Sequence, residues 1–195
     1  NFVALVDPLT GLADAVTLPA GKDDMRQFDV GRDNKKFKLD LEAMARVPVS
    51  GGTALIAFGS GSKKRRENVL TLGFTGRSKR PKPEHPSLVA APLLYDALRN
   101  ATDFSGSDMN IEGALYRDGV IRLFGRGNGE AKDSLVPVNA TCDMVWSELQ
   151  RHLADPEQNA VPEVLRIRQY DLGDIDGVAL GFTDAIPVQR SLVMY

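Results

Sequence analysis

One short pattern occurs three times in this chain: an acidic or amide residue, an aliphatic residue, a second acidic residue, a small residue and then an apolar run. The copies are Asp40-Leu41-Glu42-Ala43, Asn110-Ile111-Glu112-Gly113 and Asp174-Ile175-Asp176-Gly177. The step from Glu42 to Glu112 is 70 residues, and that from Glu112 to Asp176 is 64. A near-constant long period confines a chain to repeat architectures, in which each repeat is one supersecondary unit that buries its core against its neighbours.

The contents of a period identify the unit. After Glu42 an apolar stretch to Val49 meets Ser50-Gly51-Gly52, and Ala54 to Phe58 follows, which reads as a hairpin. Asn68 to Phe74 alternates like a third strand, Ser87 to Ala91 is a weaker fourth, and Pro92 to Leu98 reads as a short helix with proline in its first turn. In the second period, Gly113 to Arg117 and Val120 to Phe124 flank the turn pair Asp118-Gly119. Ser134 to Val138 reads as a third strand, Thr141 to Leu153 as a helix with a threonine cap, and Val164 to Tyr170 as a fourth strand.

Four antiparallel strands with an inserted helix, repeated, describe the blades of a β-propeller. The expected fold is therefore all-β, a single partial β-propeller domain over residues 1–195 with blades beginning near 40, 110 and 174. A β-sandwich whose segments resemble one another by accident is the competing arrangement. With strands at Phe2 to Val6 and Ala15 to Leu18 before the first motif, and Val178 to Phe182 and Ser191 to Tyr195 after the third, the count is about twelve, or about three blades, against the four to eight of typical propellers. The remaining blades are expected from polypeptide beyond these residues.

In a propeller the first strand of each blade is innermost. The motif precedes that strand, so Asp40, Glu42, Asn110, Glu112, Asp174 and Asp176 should ring one mouth of a central channel. The second strand returns to the same mouth and ends in Gly59-Ser60-Gly61-Ser62 or Gly125-Arg126-Gly127-Asn128-Gly129. Ser60, Ser62, Arg66, Arg126 and Asn128 are thereby candidates for a small-molecule or anionic ligand. A ring of carboxylate and amide oxygens suits a hard cation such as Ca²⁺ or Mg²⁺. The same side chains can instead bond backbone N–H groups and stitch one blade to the next.

Three stretches, KLDLEAM with LIAFGSGSKKRREN, MNIEGALYRDGVIRLFGRGNG, and DLGDIDGVALGFTDA, carry a resemblance over residues 37 to 185. They resemble an uncharacterised bacterial β-propeller family, similar in outline to the phytase-like and strictosidine-synthase-like propellers. What the larger relatives imply is a metal at the channel and hydrolysis of phosphate esters or lactones. The dense acidic run of a multi-calcium phytase is not present in this sequence.

Other signals narrow the classes. Net charge is −2 and aromatics are 7%, which with the lack of a recognition motif argues against nucleic acid as partner. No apolar run approaches the roughly 18 residues of a membrane-spanning helix. A single cysteine, Cys142, excludes an intrachain disulfide. The basic runs Lys63 to Arg66 and Arg77 to Lys82 read as solvated faces, the first close enough to the Gly-Ser loop to meet an anion. His85 and His152 have no zinc-like spacing, and Gly59-Ser60-Gly61-Ser62 is not a nucleophile elbow. Two functions from different classes remain: a binding or scaffold propeller, and a metal-dependent hydrolase in which Glu42, Glu112 and Asp176 hold the cation while Arg126 stabilises developing charge.

Overall fold

The computed structural model describes residues 2–75, 82–189 and 192–194. The molecule is mostly β, and its centre is a pair of antiparallel meanders. A leading hairpin, β1 (Phe2–Val6) and β2 (Ala13–Thr17), precedes the first sheet. That sheet runs β3 (Leu41–Val49), β4 (Gly52–Gly59), β5 (Asn68–Thr75), with the short β6 (Lys82–Pro83) and β7 (Ser87–Ala90) both pairing with β5. Helices α1 (Pro92–Asn100) and α2 (Thr102–Ser105) lead to the second sheet. Its order is β8 (Ile111–Arg117), β9 (Val120–Gly125), β10 (Asn139–Val145) and β11 (Leu165–Tyr170), with α3 (Trp146–Ala154) inserted before the last strand. Two further hairpins follow, β12 (Asp174–Ile175) with β13 (Val178–Ala179), and β14 (Ile186–Gln189) with β15 (Leu192–Met194).

Period-two alternation builds the layers. Ala43, Ala45 and Val47 of β3, with Ile56 and Phe58 of β4, turn one face of the first sheet inward. Ala114, Ile121, Leu123, Ala140, Cys142 and Met144 turn one face of the second sheet toward it, and both belong to one continuous core. The β3 and β8 strands lie against each other. Trp146 at the start of α3 crosses the junction and donates its indole N–H to the Pro48 carbonyl at 2.9 Å. The outer face of the first sheet carries a small cluster with Leu18 beneath the leading hairpin, and that of the second is partly covered by Phe182 and Ala185.

The second period differs from expectation at its third strand. Residues 134–138 form a loop whose only ladder contact is the Lys132–Leu135 bridge. Residues 141–145, expected to open a helix, belong to the strand β10. Met144 and Val145 fit a helical stripe, but Ala140, Cys142 and Met144 also fit a strand, and pairing to β9 along its whole length decides in favour of the strand. The helix begins only at Trp146. In the third period the motif opens a hairpin of two-residue strands rather than a four-stranded sheet. No sheet among the described residues closes on itself. The basic run from Arg77 lies, apart from Lys82, outside the described residues, as do Ser191 and Tyr195 of the final strand.

Tyr95 ties the helical insert to the first sheet. It is fully buried, and its hydroxyl reaches the Gly59 carbonyl at 2.9 Å and the Asn68 carbonyl at 3.1 Å, at the end of β4 and the start of β5. Tyr95→Phe should cost about 1–2 kcal/mol by leaving those carbonyls short of a donor. Tyr95→Ala should cost about 3–5 kcal/mol through the cavity as well. Urea unfolding followed by tryptophan fluorescence measures both, and equal costs for the two variants would contradict the assignment.

Candidate polar site at the junction of the two sheets

Both sheets begin with the same local device. In β3, Leu41 pairs with Gly59 and Ala43 with Phe58, so Glu42 is the extra residue of a β-bulge. In β8, Ile111 pairs with Gly125 and Gly113 with Phe124, which makes Glu112 the extra residue of an equivalent bulge. The flanking bonds repeat too. Ser60 N–H donates to the Asp40 carbonyl at 3.0 Å, and Arg126 N–H donates to the Asn110 carbonyl at 2.8 Å. A bulge re-aims side chains and stops the ladder, which is how a strand entry can carry two polar side chains beside an apolar core. Gly59 is required by the close approach of the 60s loop: a Cβ there would lie 2.1 Å from the Arg66 carbonyl oxygen.

The two devices meet. Ile111 N–H, at the start of β8, donates to the Ser60 carbonyl at 2.9 Å. On the first side, Asp40 accepts an ion pair from Arg66 at 2.8 Å and one from Lys38 at 3.5 Å. Ser60 Oγ donates to Asp40 at 3.1 Å and contacts Ser62 Oγ at 3.0 Å, and Arg66 also donates to Ser62 at 2.7 Å. On the second side, Asn110 donates to Glu112 at 2.7 Å and reaches Asn128 at 3.4 Å, while Arg126 lies 3.7 Å from Glu112. Asp40, Glu42, Ser60, Ser62, Arg66, Asn110, Glu112, Arg126 and Asn128 thus gather at one end of the two sheets. Lys38 joins them. It stands two residues before Asp40, and the alternation of charge in Lys38-Leu39-Asp40 is the signal that could have included it.

Asp174 and Asp176 sit differently. They belong to the exposed β12–β13 hairpin, where Asp176-Gly177 is the turn, with φ of 54° and 77°, and the Asp174 carboxylate accepts the Gly177 N–H at 3.0 Å. The third copy therefore reads as an Asp-Gly hairpin turn, the same chemistry as Asp118-Gly119, and lacks the bulge. The base of that hairpin reaches the second sheet, where Asn139 donates to the Leu180 carbonyl at 2.9 Å. Of the basic run, Arg66 turns inward and Lys63, Lys64 and Arg65 stay exposed. His85 is exposed, and buried His152 bonds the Asn159 carbonyl through Nδ1 at 3.0 Å.

Electrostatics single out Glu42. Its carboxyl holds a proton above the ordinary glutamate range. Partial burial of the carboxyl is the first cause, the charge and hydrogen bond of Asp40 add to it, Lys38 opposes it, and the charge of Glu112 adds again. The residue keeps an exposed side, and its carboxylate neighbours add to the effect of lost water. The charges of Asp40, beside the first sheet, and of Glu112, on the second, both act on Glu42. Three carboxylates face three cations, Lys38, Arg66 and Arg126. Among the described residues, no three of His, Cys, Asp and Glu are grouped so as to hold a metal ion, and no helix is long and apolar enough to cross a membrane.

Residues 34–195 match the model of a family described as "Family of unknown function (DUF6910)". The chain belongs to that family. The match takes in both bulged sheets and the two hairpins after them, and begins just before Lys38, so the whole polar site lies inside the family's segment. No curated protein and no solved structure matches.

A raised carboxyl pKa has a stability consequence. The folded state binds the Glu42 proton more tightly than the unfolded chain does, so its contribution is present at acid pH and declines as pH rises from about 4.5 through the folded value. Glu42→Gln, which cannot ionise, should therefore raise the melting temperature at pH 7 relative to the parent, and the gain should disappear by about pH 4. Thermal melts across that range in chelator would refute this if the variant were equally or less stable throughout.

Proposed function

We propose that the two bulged sheets are consecutive blades of a β-propeller, and that the polar end they share binds a small polar ligand while joining one blade to the next. A five-stranded and a four-stranded antiparallel sheet in sequence order, first strand against first strand, support the propeller reading. The observation that carries the binding reading is the repeated bulge, which sets Glu112 beside Arg126 and Glu42 beside Asp40, itself paired with Arg66. Carboxylates as acceptors and Arg66 and Arg126 as donors form an interleaved, charge-balanced surface. Such a surface suits a ligand that offers both donors and acceptors, such as a polyhydroxyl compound or a sugar acid.

A hard cation is the second candidate at the same end. Asp40, Asn110, Glu112 and Glu42 are oxygen donors of the kind Ca²⁺ and Mg²⁺ prefer. Asp40 and Glu112 already have arginine partners, and an entering ion would have to displace them, which is why the polar ligand comes first. The hydrolase reading, on phosphate esters or lactones, draws on one specific feature: Glu42 keeps its proton at higher pH than an ordinary glutamate and so could act as a general acid. Its measure is turnover of a phosphoester and lactone panel with and without added Ca²⁺.

The experiment that separates these readings is Glu112→Ala with and without chelator. The proposed ligand-and-joint role predicts about 1–2 kcal/mol of destabilisation, from loss of the Asn110 and Arg126 partners, and the same loss in EDTA. A loss seen only in millimolar Ca²⁺ would transfer the site to the cation, because an ion bound by the folded state adds stability by mass action. Thermal-shift screening of sugars, polyols and sugar acids then tests the ligand class. A ligand of this site should raise the parent's melting temperature and not that of Glu42→Gln.

A further inference from the structure

The outer face of the second sheet carries a separate site. Asp143, in the middle of β10, has a side chain only 1% exposed. Its carboxylate accepts Arg122 Nε at 2.7 Å and Nη2 at 2.8 Å, a two-point clamp, and Arg166 Nε at 2.7 Å. One buried anion thus fixes two guanidinium groups that remain 38% and 59% exposed. A carboxylate held in this way restrains both arginines, so less side-chain entropy is lost on binding.

The backbone is shaped to bring the second arginine there. Between the pairs Thr141–Arg168 and Asp143–Leu165, β11 carries one residue more than β10, a β-bulge. Arg166 lies inside it with φ of 45°, a left-handed conformation that non-glycine residues rarely adopt. Strain of this sort persists where the surroundings over-determine it, and bulges re-aim side chains beside binding sites. Arg122 and Arg166 form the common wall of two open clefts of about 330 and 350 Å³. Arg168, Thr141 and Tyr170 complete the first, and the Thr141 and Tyr170 hydroxyls are 3.3 Å apart on its floor. Leu115 and Val120 give the second an apolar side.

The first cleft is lined by Arg122, Arg166 and Arg168 and by no carboxylate, whereas the second adds Arg117 and Asp118, so the charge of the first cleft calls for an anion. Guanidinium groups arriving from two strands, with two hydroxyls beside them, surround a tetrahedral group better than a planar carboxylate, which a single guanidinium satisfies in its own plane. We infer that the Arg122–Arg166–Arg168 cleft binds the phosphate dianion of a small phosphomonoester, with the ester's organic part lying on Leu115 and Val120. The site stands apart from the polar junction. Arg122 lies on β9 four residues before Arg126, which follows the strand's end, a separation of up to roughly 13 Å at the rise of extended chain.

The test is calorimetric titration of the intact protein with inorganic phosphate and with phenyl phosphate, each at constant ionic strength set with chloride. Arg122→Gln is set aside because it strips the buried carboxylate of two hydrogen bonds. Arg168→Gln lacks that defect and should weaken both ligands about tenfold. Lys63→Gln with Lys64→Gln, in the exposed basic run, should leave both unchanged. Phenyl phosphate should bind more tightly than inorganic phosphate, since only the ester reaches the apolar cleft. The inference is overturned if phosphate gives no heat beyond the chloride control, if the lysine variants weaken it and Arg168→Gln does not, or if the ester binds no better than the free ion.

Discussion

Everything at the polar end depends on one backbone contact, the Ile111 N–H bonded to the Ser60 carbonyl. Ser60 follows the glycine that ends β4, and Ile111 opens β8, so this single bond sets the second sheet's entry against the first sheet's exit. The bulges at Glu42 and Glu112 then do the rest. Without the extra residue, strict alternation would carry each glutamate along its ladder with the residues two places on, Met44 and Ala114. With it, the two carboxylates leave the ladder at equivalent points and come within electrostatic reach of each other. The cost of gathering like charges is offset by Lys38, Arg66 and Arg126, and Arg66 stands on a loop whose close passage Gly59 allows.

A second constraint works behind the first. Glu67 is buried and takes Arg99 of α1 at 2.7 Å, and Arg99 also donates to the Gly61 carbonyl at 3.2 Å. Together with the Tyr95 hydroxyl, this clamps the loop carrying Ser60 and Ser62 from behind. A site made of loop residues is thereby held by a helix and two strands, the condition under which a loop can keep a defined geometry. The Asp143 triad on the outer face follows the same logic, with a saturated buried acid fixing exposed bases.

Much of the scaffold was legible from pattern alone. Asp118-Gly119 and Ser50-Gly51 mark their hairpins because those turns need positive φ, and that chemistry leaves a mark in sequence. Two copies of the acidic motif lie at equivalent positions for the same reason: a bulge beside a glycine-ended strand has a recognisable order of residues. The third copy shares the letters and not the setting, since Asp-Gly serves a tight turn as readily as a strand entry. Residues 141–145 read as helix in the sequence because buried strands lack polar alternation, so periodicity loses its power there. The Arg122–Asp143–Arg166 arrangement was not legible at all. Its members are separated by 21 and 23 residues; Arg122 faces Asp143 directly across the β9–β10 ladder, and Arg166 joins them only through a register shift, which no local pattern encodes.

The central claim is that Glu42 and Glu112, on different sheets, occupy one electrostatic site. Carbon-detected NMR titration of the Glu42 side-chain carboxyl, in the parent and in Glu112→Gln at low salt, tests it most directly. Removing the Glu112 charge should lower the Glu42 pKa toward the ordinary glutamate value, because one of the charges opposing its ionisation is gone. An identical Glu42 titration in the two proteins would contradict the account and leave the two bulged entries as unrelated features of separate sheets.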